Sequence, residues 1–276
     1  MRTIAVIAKS AIKEHSRRKL IWIALIVSLL TMAFLLYFAI SKDQTDVLFG
    51  SRTGEARGAT IASFASLGFL GLFGLFVTLA VSMGNVGQAF SSGEAALVLA
   101  RPVERWQYAI GRLAGSIAIV LGFCAVAAVE MQIVSVAGGS GMSGDLWQHW
   151  GAQAFGLTVV AAITTLFSSL ISIPIVAAVI AFFINQLAGG AVFLHNLVRA
   201  NVIKGGLAKA VEVLWYITPK FIQSNLIQSA PRGGQSSAEM EMIRSFKNSA
   251  GLTVWACAYL AGIVLVIVTL VERKEI

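Results

Sequence analysis

Residues 151–194 read GAQAFGLTVVAAITTLFSSLISIPIVAAVIAFFINQLAGGAVFL, more than forty residues without one Asp, Glu, Lys or Arg. A helix rises about 1.5 Å per residue, so about 20 apolar residues cross a bilayer core. The run is too long for one crossing and long enough for two. Ser168, Ser169, Ser172 and Pro174 stand near its middle. Proline interrupts the helical hydrogen-bond ladder and pushes the residue before it out of helical geometry. The stretch therefore predicts two spans, at about 151–170 and 172–194, and sets the fold class: an all-α, polytopic membrane protein.

The same reading applied outward finds spans at Leu20–Ile40, Thr60–Met83, Tyr108–Ala137 and Leu252–Val271, six in all within a single transmembrane domain of 276 residues. Residues 1–19 are not a span. Ile4, Ile7, Ala8, Ala11 and Ile12 recur at helical spacing among Arg2, Lys9, Lys13, Arg17, Arg18 and Lys19, which predicts an amphipathic helix lying in the membrane interface. A secretory signal would need a small-residue cleavage site after its apolar core, and none follows Phe38.

Composition agrees. The chain is 57% apolar and 12% charged, against about 45–50% and about 25% in soluble domains. The net charge of +8 sits beside the spans, with no separate basic patch interleaved with aromatics. It is read as orientation and contact with anionic lipid headgroups, and nucleic acid is not a predicted partner. Cys124 and Cys257 each lie in an apolar run, without CxxC or metal-ligand spacing. They read as small buried hydrophobes.

Lys and Arg near the spans set orientation. The N-terminal segment contributes six, the loop after span two Arg101 and Arg105, and the tail Arg273 and Lys274. Both termini are therefore predicted to be cytoplasmic. The short loop at 138–150 has none and falls outside. Residues 195–249 also fall outside in this scheme, although they carry Arg199, Lys204, Lys209, Lys220, Arg232, Arg244 and Lys247. The bias is weakest for long loops.

Chemistry is sparse. There is no G-x-x-x-x-G-K-[ST], HExxH or GxSxG, so no phosphate-binding loop, zinc-protease helix or nucleophile elbow. His15, His149 and His195 stand at span edges, where snorkelling or capping is the ordinary role. Among Asn85, Gln88, Glu130, Gln132, Asn185 and Gln186, Glu130 is the one ionisable group, which makes it and neighbouring Gln132 candidates for a substrate path. Snorkelling to the outer interface is the competing reading of Glu130. Gly68, Gly71 and Gly74 repeat every three residues, and Gly111 and Gly115 form a GxxxG pair. Both patterns let a second helix approach closely, in this chain or in another copy.

One stretch carries more. Gly93-Glu94-Ala95-Ala96-Leu97-Val98-Leu99-Ala100-Arg101-Pro102-Val103-Glu104-Arg105 is a short amphipathic segment stopped by proline, followed by Gly111-Arg112-Leu113-Ala114-Gly115. It resembles the motif of type-2 ABC exporter permeases, in which aliphatics, Arg-Pro, a further Arg and a glycine pair lead into the third span. Glu94 replaces the family's Thr, and Gln88-Ala89-Phe90-Ser91-Ser92 replaces its acidic run. The basic N-terminal helix, six spans and charged tail also resemble that family. Leu214-Trp215-Tyr216-Ile217-Thr218-Pro219 is similar to a segment in the branch that includes the nitrous-oxide-reductase maturation permease.

The resemblance implies a division of labour. Residues 84–107 would form a coupling helix on which separate ATP-binding ABC ATPase subunits dock, with Gly93, Glu94, Arg101, Pro102 and Arg105 as contact residues. ATP and magnesium would belong to that partner, with no cofactor and no enzymatic activity on this chain. The permease would act as a homodimer or with a sister permease in the inner (plasma) membrane, in contact with membrane lipid and an extracytoplasmic accessory protein. A non-ABC membrane scaffold is the alternative. An intramembrane enzyme is weaker, because the spans lack a nucleophile–base constellation. Sparse intramembrane charge favours hydrophobic or amphipathic cargo, or force transmission.

Overall fold

A computed structural model describes residues 2–16, 19–40, 71–91, 93, 95, 98, 100, 103–139, 141–142, 144–171, 173–199, 202, 204–218 and 250–273. Every regular element among the described residues is a helix: α1 (Arg2–Ser16), α2 (Lys19–Ile40), α3 (Gly71–Ser82), α4 (Gly87–Ser91), α5 (Arg105–Ala137), α6 (Gly144–Leu170), α7 (Pro174–Arg199), α8 (Gly206–Ile217) and α9 (Ala250–Glu272). Among the described residues, three segments are long and apolar enough to cross a membrane: Gly71–Phe90, Arg105–Ala137 and Gln153–Leu170. A fourth is added if α1 and α2, which meet at 66°, count together. Pro174–Ala188 and Cys257–Glu272 are apolar but shorter.

The long apolar run is divided at its serine–proline segment, α6 stopping at Leu170 and α7 starting at Pro174. A proline in the first helical turn gives up an amide that has no helical partner there in any case. Helix α6 is the centre of the bundle, packed by α3, α5, α7 and α9. It tolerates hydroxyls inside an apolar core because they turn back on their own helix. Thr158 donates to Ala154 O at 2.8 Å, Thr164 to Val160 O at 2.7 Å, Thr165 to Ala161 O at 2.8 Å and Ser169 to Leu166 O at 2.7 Å. Each polar group is satisfied without water, as an interior without water requires.

Several boundaries differ from those read in the sequence. Helix α6 begins at Gly144, so the connection from α5 shrinks to residues 138–143. Gly139 and Gly141 turn it with φ of 81° and 67°, and Ser135 Oγ donates to Gly141 O at 3.0 Å. Sequence hydropathy placed that boundary late because Asp145, Gln148 and His149 are polar. Helix α7 runs on to Arg199, and α8 forms inside the segment expected to be a long loop. His195 at the end of α7 stacks on Trp215 of α8, centroids 4.4 Å apart and planes at 4°. The expected start of the second span at 60–70, and residues 219–249 of the long loop, lie outside the described residues.

The outer surface is apolar. Trp22, Ile26, Leu30, Phe34 and Tyr37 on α2, Ile175, Phe183 and Leu187 on α7, and Leu265 on α9 are each more than half exposed. Scattered exposed hydrophobics are ordinary, but continuous bands on several helices are the surface that lipid solvates.

A buried polar junction between α1, α4, α5 and α6

Helix α1 lies in a groove cut into α5 by two glycines. A Cβ on Gly111 would come within 2.7 Å of Ile7 Cγ2, and one on Gly115 within 2.7 Å of Ala11 Cβ and 3.0 Å of the Ala8 carbonyl. The GxxxG pair thus takes a helix of the same chain. Ile7, Ala11 and His15 are buried on the face of α1 that meets α5. Apolar residues at that spacing satisfy a protein groove as well as a lipid surface, so the pattern alone does not choose between them.

The second structural cause is the break at residues 83–86 between α3 and α4. Interrupting a helix frees backbone groups that need partners when buried. Arg112 supplies one, its Nε donating to the Asn85 carbonyl at 2.9 Å while its Nη1 pairs with Glu14 Oε2 at 2.5 Å. The Asn85 side chain bridges the same two helices. Its Oδ1 accepts from His15 Nε2 at 3.3 Å, and its Nδ2 donates to Ser116 Oγ. The Gly87 amide donates to Ser168 Oγ at 3.2 Å, so the end of α6 caps the start of α4. A Cβ on Gly87 would fall 1.8 Å from the Ser168 carbonyl oxygen, so no other residue fits. Asn85 is 0%, His15 1% and Arg112 7% exposed. Five elements therefore meet in one buried polar knot: α1, the break, α4, α5 and α6.

Beside this knot, described residues of the stretch from Gly93 to Arg105 pack against α1, α4 and α5. Ala95 is buried with Ile7, Ala89 and Tyr108, and Phe90, Val98 and Val103 pack against them. Phe90 meets Tyr108 edge-on at 6.1 Å, and the Arg112 guanidinium carbon stands 5.9 Å from the Tyr108 ring centre. One side of the segment is thereby fastened to α1, α4 and α5.

The residues singled out in the sequence fall into two groups. Gly93 is exposed at φ 78°, the left-handed geometry that glycine adopts without strain, just past α4. Arg105 opens α5 and reaches the Glu272 carbonyl at the end of α9 at 3.5 Å, a long hydrogen bond that sets a cation against a helix C-terminus. Glu94, Arg101 and Pro102 lie outside the described residues. Glu130 and Gln132 are both buried in the distal half of α5, far along the helix from the knot. Glu130 accepts from Ser28 Oγ on α2, and its Oε1 has no hydrogen-bond partner among the described residues. Positions two apart on a helix point to different sides, so the two are not brought together.

Arg112, Glu14, His15 and Ser168 were not singled out as a site by sequence reasoning. A buried arginine directly after a glycine, facing a glutamate 98 residues earlier, has no local spacing to announce it. Asn85 carried a signal as a polar residue in an apolar run, but its partners did not. Among the described residues there is no group of His, Cys, Asp and Glu able to hold a metal ion. Compared with known proteins, the chain matches no family model and no curated sequence.

Proposed function

We propose that this chain is the membrane-spanning subunit of an ABC exporter, coupling ATP hydrolysis by separate ATPase subunits to movement of cargo or force across the membrane. The observation that carries the reading is the segment Gly93–Arg105 running into Gly111–Gly115, whose order of residues resembles the type-2 permease motif. The all-helical fold and its apolar exterior support it. So does the packing beside the knot, because a push on a segment fastened to α1, α4 and α5 is transmitted to packed helices, α4 in turn being bonded to α6, rather than lost in a loose loop.

In this reading there are six spans with both termini cytoplasmic, and the coupling segment faces the ATPase. Glu94 and Arg101 contact the partner, and Arg105 ties the segment to α9. Glu130 and Gln132 belong to the cargo route. Cargo is hydrophobic or amphipathic, ATP and magnesium are held by the partner, and a second copy or a sister permease completes the pore. An extracytoplasmic accessory protein and lipid are further contacts. A scaffold would share the fold but has no need of an ATPase.

Affinity purification of the tagged, full-length chain from its native membrane tests this. An ATPase bearing a phosphate-binding loop should co-purify in near-equal amount, and hydrolysis should disappear when that polypeptide is removed. A chain that purifies with no such subunit contradicts the permease reading and favours a scaffold.

A further inference from the structure

The inner face of α1 is accounted for by α5, which leaves its outer face to be explained. Lys9 and Lys13 are exposed there with Val6, which is 67% exposed, and Ile12 at 37%. The acidic residue of α1, Glu14, is turned inward and paired with Arg112. Its carboxylate, about a third exposed, is engaged by Arg112 on the inner side of α1, and Lys9 and Lys13 stand on the other side of the helix.

The neighbouring chain indicates what lies against this face. Lys19 opens α2 and is exposed, and Trp22 one turn later is 61% exposed, its Nε1 donating to the Ser16 carbonyl at 3.1 Å. The exposed residues of α2 from Ile23 onward are apolar. An indole held at the entry of an apolar helix marks the level of the membrane interface, and α1 joins that helix at its end. Lysines with short apolar neighbours at that level match a surface of negative headgroups over acyl chain ends.

We propose that the outer face of α1 is a binding surface for anionic phospholipid, held by Lys9 and Lys13. Because the opposite face of α1 supports the coupling segment through Ile7 and the knot through Glu14 and His15, lipid seated here fixes the position of that segment. The binding claim does not depend on an ATPase.

Native mass spectrometry of the full-length protein, released from micelles doped with phosphatidylglycerol, measures the affinity of the first bound lipid. Each of Lys9→Gln and Lys13→Gln should weaken it about fivefold, while the double Lys→Arg variant should bind as the parent does. Phosphatidylcholine should bind more weakly than phosphatidylglycerol, and inorganic phosphate should not compete at equal concentration. Unchanged affinity in the double Lys→Gln variant, or equal binding of phosphatidylcholine, overturns the proposal. So does a double variant that keeps its lipid but loses a protein partner, since the face would then belong to that partner.

Discussion

Arg112 holds two acceptors, the buried Asn85 carbonyl in the break and the partly exposed Glu14 carboxylate on α1. Removing the arginine leaves the buried Asn85 carbonyl without its donor, which costs about 1–3 kcal/mol, while the partly exposed Glu14 can turn to solvent. Arg112→Ala should therefore lower the melting temperature in detergent by several degrees. Arg112→Lys should recover only part of the loss, since an ammonium lacks the planar fork that serves both acceptors. Full recovery by lysine would mean that charge alone matters. Gly87→Ala should abolish folded yield, whereas Gly122→Ala, where nothing stands within 4 Å of an added methyl, should express normally. Comparing the two by size-exclusion profile checks the claim. The sequence marked Asn85 and Glu130 as costly polar residues, but it did not reveal Glu14, Arg112 and His15 as one unit. Their partners are set by how helices dock, and no periodicity encodes that.

At the scale of elements, the glycine pair at 111 and 115 was readable as a close approach, because few other reasons put two glycines one turn apart in an apolar helix. Which helix fills the groove was not readable. Only α1 carries Ile7, Ala8 and Ala11 at the matching register, and the same residues equally describe a helix lying on lipid. Replacing Gly111 and Gly115 by leucine should wedge α1 off α5. Trypsin should then cut after Lys9 and Lys13 many times faster than in the parent, with Gly122→Leu as a silent control. Equal cleavage rates would show that α1 is held by something other than this groove. The break at 83–86 was missed for a related reason, since Thr60–Met83 gives no sign that its helix resumes at Gly87.

Across the whole molecule, the serine–proline interruption of one apolar run was enough to divide α6 from α7, because chain length against bilayer thickness leaves few alternatives. The polarity of the ends was harder to use, and hydropathy cut α6 short by seven residues while overlooking α8. The six-span arrangement predicts that reporters fused at residues 1 and 276 both read as cytoplasmic and one near Gly141 reads as external. A cytoplasmic reading at Gly141 would break the arrangement. The central claim is that the segment beside the polar knot receives an ATPase. Reversing a charge at a docking rim leaves its counterpart desolvated and unpaired, at a cost of about 2–5 kcal/mol. The direct test is retention of the ATPase by the solubilised full-length chain in Glu94→Lys and Arg101→Glu, with membrane insertion monitored in parallel. The account predicts normal insertion and at least a tenfold loss of bound ATPase in both variants; full retention of the ATPase and of its coupled activity in both would contradict it.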